Sequence, residues 1–277
     1  MKKKKKLRIK WKNLFLLLFY LGITITFIIS IIFVINWLFD SKETKEDTKK
    51  VKDKVVIKEV TNTNKVEIVK PKEEIKKEDP YWDYIKFNLI DVDFTKLKEQ
   101  NNETTGWIKV KGTNINYPFV QAKDNKFYLK HSFDKSYNEA GWVFMDYRNN
   151  KDNFDKNTIL YAHGRVDKTM FGSLKNIFTN NWLNNKNNYV INLSTEKENT
   201  LWQVFSVYKI PTTKDYIQTK FADDEEFLKF GKMLLDRSQH NFNTSIDSNA
   251  KILTLSTCYN DEKKVVLHAK LIKIEKK

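Results

Sequence analysis

The sequence predicts a mainly β domain carried behind a single membrane-spanning helix, and three observations carry that reading. First, short runs with the two-residue alternation of half-buried strands recur after Asn101, over residues 106–110, 115–121, 141–145, 158–163, 189–193, 201–210, 252–257 and 265–274. Eight short strands in one domain of this size close into a barrel or stack as a sandwich. Second, residues 14–39 form an unbroken run of 26 without a charge. At 1.5 Å rise a helix of that length reaches about 39 Å, enough to cross a hydrocarbon core of about 30 Å with tilt. Third, residues 40–80 are rich in Lys, Glu, Asp and Thr and hold no aromatic residue, the composition of a solvated stalk. The expected organisation is a basic arm over 1–13, an anchor over 14–39, a stalk over 40–80 and a folded domain over 81–277.

The charge distribution orients the anchor. The formal net charge is +15, and Lys2 to Lys6, Arg8, Lys10 and Lys12 place eight cations before any acid. Such a run is ordinarily a nucleic-acid tail, but here it abuts a membrane span, so nucleic acid is excluded as its partner. No small-residue cleavage pattern follows the span, which therefore reads as an uncleaved anchor. The positive-inside bias puts the N-terminus in the cytoplasm and the domain outside, with Trp11 and Trp37 at the two interfaces.

Helices are few. Residues 94–100 fit a short surface helix. Asp223 stands three residues before Glu226, and Phe227, Phe230 and Leu234 then recur at helical spacing. That pattern predicts a capped amphipathic helix over 224–238, between the sixth and seventh strands.

The chemistry centres on Cys258, the sole cysteine, which ends the run KILTLSTC before the polar loop YNDEKK. A lone cysteine at a strand end is commonly a small buried hydrophobe. An external domain with one cysteine has no internal disulfide, however, and its free thiol is a liability unless it is used. His163 similarly ends the strand TILYAH, 95 positions earlier, and only a fold that sets the two strands side by side pairs thiol and imidazole. A thiol of ordinary pKa needs such a base or a cation nearby to act as a nucleophile. No glycine-rich phosphate loop and no Cys or His pair at metal-ligand spacing is present, so no cofactor or metal is implied.

The string TLSTC before a polar loop, with YAHGRVDKTMFGSL upstream, resembles the sortases, membrane-anchored cysteine transpeptidases, and within them class B. The likeness runs over roughly residues 93–274. It implies an eight-stranded sortase-type β-barrel, and the long helix between strands six and seven agrees with class B. It also implies that Cys258 attacks the Thr carbonyl of a C-terminal sorting signal on a secreted protein. His163 would then protonate the leaving amine, and a peptidoglycan precursor or cross-bridge amine would resolve the thioacyl enzyme. The backbone N–H of Tyr259 would serve the oxyanion.

Carried over residue by residue, the resemblance implies substrate contacts at Asn125, Leu129, Tyr216, Ile217 and Ser256, and at Thr213, with Thr212 as the alternative in a loop one residue short. Leu129 and Ile217 are equally the kind of residue found in a core. Ala162 replaces a glycine that often precedes the histidine. The arginine that sortases carry on the last strand is missing, and Lys264 stands in its place, with Arg165 as the rival cation. Two other readings stay open: an anchored peptidase that only hydrolyses, and a wall-binding module whose site has decayed.

Overall fold

The computed structural model describes residues 10–60, 65–72, 79–258 and 263–277, with Cys258 described by its backbone. In chain order the elements are helix α1 (Trp11–Asp53), strands β1 (Ile57–Glu59) and β2 (Val66–Ile68), α2 (Tyr81–Tyr84), β3 (Ile90–Val92), α3 (Thr95–Gln100), β4 (Thr104–Val110), β5 (Asn116–Val120), β6 (Phe144–Met145) and β7 (Asn157–His163). Then follow α4 (Asn180–Leu183), β8 (Val190–Thr195), β9 (Glu198–Pro211), α5 (Asp224–Asp236), β10 (Ile252–Cys258) and β11 (Lys263–Lys276). Through residue 43 the chain forms one unit, the apolar part of α1; a second, compact unit begins at residue 44. The apolar part of α1 is long and apolar enough to cross a membrane.

The eight expected strands are β4 to β11, and they form a closed barrel. Their order around it is β10, β7, β6, β5, β4, β8, β9, β11, and β11 returns to β10. Leu160, Leu253, Leu255, Leu267 and Ala269, none of them exposed, belong to the core that fills it. β6 is only two residues long where five were expected, because Gly141 sits at φ +59° and breaks the extended backbone before Phe144.

Of the stalk expected over 40–80, the described residues from 44 on depart from a solvated chain. Residues 44–53 continue α1, and Thr44, Thr48 and Val51 are buried in the folded unit. β1 pairs with β3, and β2 adds to β11 through Lys273–Ile68, Ile274–Glu67 and Glu275–Val66. The scattered Val and Ile of this stretch have no core of their own, so Ile57, Val60, Val66 and Val69 find one against the barrel's.

α5 covers the outer faces of β9, β10 and β11. The Asp223 side chain accepts the Glu226 N–H at 2.8 Å, while the Glu226 carboxylate accepts the Ala222 N–H at 2.6 Å. This reciprocal cap starts the helix where the sequence placed it; caps of this kind stabilise by about 1 kcal/mol. Phe227, Phe230 and Leu234 then pack with Phe205, Tyr208, Tyr216, Ile252 and Val266.

Inside this outer layer lies one fully buried histidine, His268. Its Nε2 accepts from the Tyr208 hydroxyl at 2.7 Å, and its Nδ1 donates to Thr254 Oγ1 at 2.9 Å. Thr254 in turn donates to Asn157 Oδ1 at 2.6 Å, and the Asn157 amide donates to the Gln218 carbonyl at 2.8 Å. Every polar atom of the chain is thus used, which is what makes its burial tolerable. Burial first, and the Arg237 charge second, push the His268 pKa down to about 3.

The sign of the pH effect follows. Below pH 6.5, the ordinary histidine value, the unfolded chain takes up a proton that the folded chain refuses until about pH 3. Stability from this group is therefore present above pH 6.5 and lost as the pH falls toward 3. Chemical denaturation at stepped pH should give a steeper loss for the parent than for His268→Gln in that window, by up to about 1.4 kcal/mol per pH unit. Equal slopes would mean that His268 is protonated in the fold.

Candidate active site

β7 and β10 run parallel and in register from Asn157–Ile252 to His163–Cys258. Parallel neighbours in register end at the same rim of a barrel. The last residue of each is therefore one strand spacing from the other, about 4.8 Å between backbones. The sequence-predicted pair is brought together by this register alone. On the other side of β10, β11 pairs antiparallel from Ile252–Lys270 to Ser256–Val266. That pairing ends two residues short of half-buried Lys264, which β9 holds through Ile210.

The imidazole is held by backbone. His163 Nε2 donates to the Leu129 carbonyl at 2.7 Å, which leaves Nδ1 as the basic nitrogen. Leu129 closes a 3-10 turn, Phe127–Leu129, started by Asp124, whose carboxylate accepts the Lys126 and Phe127 N–H groups at 2.7 and 2.9 Å. Those hydrogen bonds hold the Asp124 carboxyl below its ordinary pKa. Gly141 presses on the far side of the same turn: a Cβ there would lie 2.4 Å from the Tyr128 carbonyl oxygen and 2.8 Å from that of Leu129. A glycine with positive φ thus makes room for the carbonyl that orients the histidine.

Of the two candidate cations, Arg165 is engaged locally. Its guanidinium meets Asp167 at 3.0 Å, with side chains 12% and 2% exposed. Asp167 also accepts from the Thr169 N–H and hydroxyl at 3.0 and 2.6 Å. The pair locks the hairpin after His163, where Gly164 bridges Met170. Lys264, the other candidate, stands on β11 two residues beyond the Ser256–Val266 pair.

The remaining predicted residues fall into two groups. Asn125 accepts the Tyr147 N–H at 3.0 Å, and the Leu129 side chain packs partly against the core. Thr213, Tyr216 and Ile217 lie in the loop between β9 and α5. Thr213 donates to Asp215 at 2.8 Å, and Asp215, gripped by Arg237 at 3.0 and 2.5 Å, is held down to about pKa 2 by that hydrogen bond. Tyr216 is buried, its hydroxyl 3.0 Å from Ser256 Oγ, itself buried on β10. Ile217 packs partly on the outer cluster. Tyr259 lies outside the described residues.

Sequence reasoning passed over Arg148, which fastens this loop. Arg148 donates to both oxygens of Asp146 at 2.9 and 2.6 Å and to the Ile217 carbonyl at 2.9 Å. Burial works upward on the Asp146 carboxyl, but the Arg148 hydrogen bonds and charge, with Tyr161 at 3.0 Å, bring it below the ordinary value. The Asp-x-Arg spacing was visible; its partner on a loop 69 residues away was not.

A rim that sets a cysteine beside an oriented histidine on a closed eight-stranded barrel defines a cysteine acyl-transfer site. The sortase domain model matches residues 108–272. Sortase B of Staphylococcus aureus is 35% identical over 185 residues, 65% of this chain and 75% of that protein. A sortase B-like protein from Bacillus anthracis superposes with TM-score 0.60 at 40% identity, covering 65% of this chain and 82% of that one. A Staphylococcus aureus sortase B–substrate complex superposes with TM-score 0.61 at 35% identity, covering 65% and 84%. The chain belongs to the sortase family, in class B, and is a cysteine transpeptidase.

The backbone clamp on His163 is testable. Gly141→Ala should displace the Leu129 carbonyl and lower the transpeptidation rate by about a hundredfold, since misplacement by about 1 Å carries that cost. Nitrogen NMR of His163 should show the proton no longer fixed on Nε2. An unchanged rate and tautomer would show that the turn plays no part in orienting the histidine.

Proposed function

We propose that this protein cleaves a C-terminal sorting signal after Thr and transfers the new C-terminus to a cell-wall amine. The observation that carries the reading is the parallel register that seats Cys258 beside His163. Cys258, as thiolate, attacks the Thr carbonyl carbon. The tetrahedral oxyanion is met by the Tyr259 backbone N–H and by Lys264. As the C–N bond breaks, His163 gives its proton to the departing amine, leaving a thioester on Cys258. The acceptor amine then attacks the thioester, His163 takes its proton, and the thiolate departs. Asn125, Leu129, Thr213, Tyr216, Ile217 and Ser256 form the groove for the signal. With Tyr216 and Ser256 buried, their part is to support the groove's floor. Relatives of this class favour motifs like Asn-Pro-X-Thr.

The cationic arm before the span supports an N-terminus in the cytoplasm and a domain outside the cell, fixed to the membrane by residues 14–39. Because Cys258 is the sole thiol, it reports topology directly. A membrane-impermeant maleimide should label intact cells, and Cys258→Ala should abolish the label. Labelling that requires lysis would place the domain inside.

The chemistry is checked with the full chain, an Asn-Pro-X-Thr peptide and an amine acceptor, read by intact mass. The parent should form an acyl adduct on Cys258 and pass it to the amine, and Cys258→Ala should do neither. Lys264→Ala should lower acylation about a hundred- to a thousandfold, the usual cost of one oxyanion donor, while Lys264→Arg keeps or raises it. Normal acylation by Lys264→Ala with loss in Arg165→Ala would move the cation to the loop after His163. Water as the sole acceptor would make the protein a peptidase.

A further inference from the structure

Away from the rim lies an open cleft of about 980 Å³, near the upper end of about 300–1,000 Å³ for ligand sites. Its separation from the rim can be read along β9. Gln203 reaches Asp79 of the cleft at 3.4 Å, and Ile210, seven residues on, pairs with Lys264 at the rim. At about 3.3 Å per residue that is about 23 Å of strand.

The wall is an aromatic array. Tyr189 meets Phe242 edge-on at 4.8 Å and Tyr84 at 6.5 Å, and His240 meets Phe242 at 4.8 Å. Burial lowers the His240 pKa, which favours the uncharged ring. Trp82 stands at the cleft 44% exposed. Around these rings Asn184, Asn187 and Asn241 are exposed and offer amide donors and acceptors.

Charge does not select the ligand. Two carboxylates and two lysines line the cleft and cancel, and Asp83 is paired with Lys86 at 3.0 Å. Two buried polar atoms here have no partner among the described residues: the Tyr84 hydroxyl, in the cleft wall, and Gln203 Oε1, behind Asp79.

Flat apolar rings fringed by uncharged amides suit a ligand with apolar C–H faces, many hydroxyls and neutral amide groups. We infer that this cleft binds an uncharged oligosaccharide bearing acetamido groups. The ring faces stack on Trp82, and the Asn amides take the acetamido and hydroxyl groups. This inference rests on the cleft's own residues and not on the reaction at Cys258.

The test uses the full chain in detergent micelles, titrated with the β-1,4 tetramer of N-acetylglucosamine and followed by tryptophan fluorescence and calorimetry. Saturation is expected below about 10 mM, with affinity weakened at least about tenfold by Trp82→Ala and several-fold by Asn241→Ala. Both positions are exposed, so melting temperatures should stay at the parent's value. Peptide acylation by Trp82→Ala, and sugar binding by Cys258→Ala, should both match the parent, which separates failure here from failure of the proposed reaction. Absence of saturation, or parent-like binding by both cleft variants, overturns the site. Equal affinity for the corresponding glucose tetramer overturns the acetamido assignment.

Discussion

The parallel pairing of β7 with β10 is the constraint on which the rest depends. Two parallel strands cannot be joined by a tight turn, so a long crossover must intervene. Here α4, β8, β9 and α5 fill it. Parallel direction puts both C-terminal ends on one rim; antiparallel strands of the same sequences would have put thiol and imidazole at opposite ends. Closure through β11, which pairs with β10 on its other side, then completes the barrel.

Around that rim, backbone and buried polar groups do most of the positioning. The histidine is oriented by a carbonyl, and the carbonyl by a tight turn with a glycine behind it. The loop between β9 and α5 is fastened from three directions: by Arg148 at Ile217, by Asn157 at Gln218, and by Arg237 at Asp215. Two of these fastenings hold backbone carbonyls and the third the Asp215 carboxylate, and together they keep the path of the chain.

Much of this architecture was legible in the sequence because it rests on periodicity and end signals. The eight barrel strands and α5 declare themselves by alternation, helical spacing and the Asp223 cap. Cys258 and His163 stand out because each ends a strand before a polar loop. The orienting role of Leu129 was not legible, since every residue has a carbonyl and the sequence does not say which one a distant histidine will meet. β1 and β2 were missed because three-residue strands carry too little pattern, and their apolar residues gain a core only from partners far along the chain. His268 passed as one more residue of a strand, its neutrality being a property of the layer that α5 lays over it.

The short strand β2 has a consequence for life on a crowded surface. β11 is 14 residues long and outruns β10, so the end bearing Lys273 to Glu275 would offer a bare ladder of amides and carbonyls to any neighbour. β2 occupies that ladder, and the edge it presents in turn is only three residues long, with Lys65, Glu67 and Lys70 in and beside it. Short, charged edges are poor templates for strand addition. Neighbouring copies can therefore stand side by side without their sheets joining.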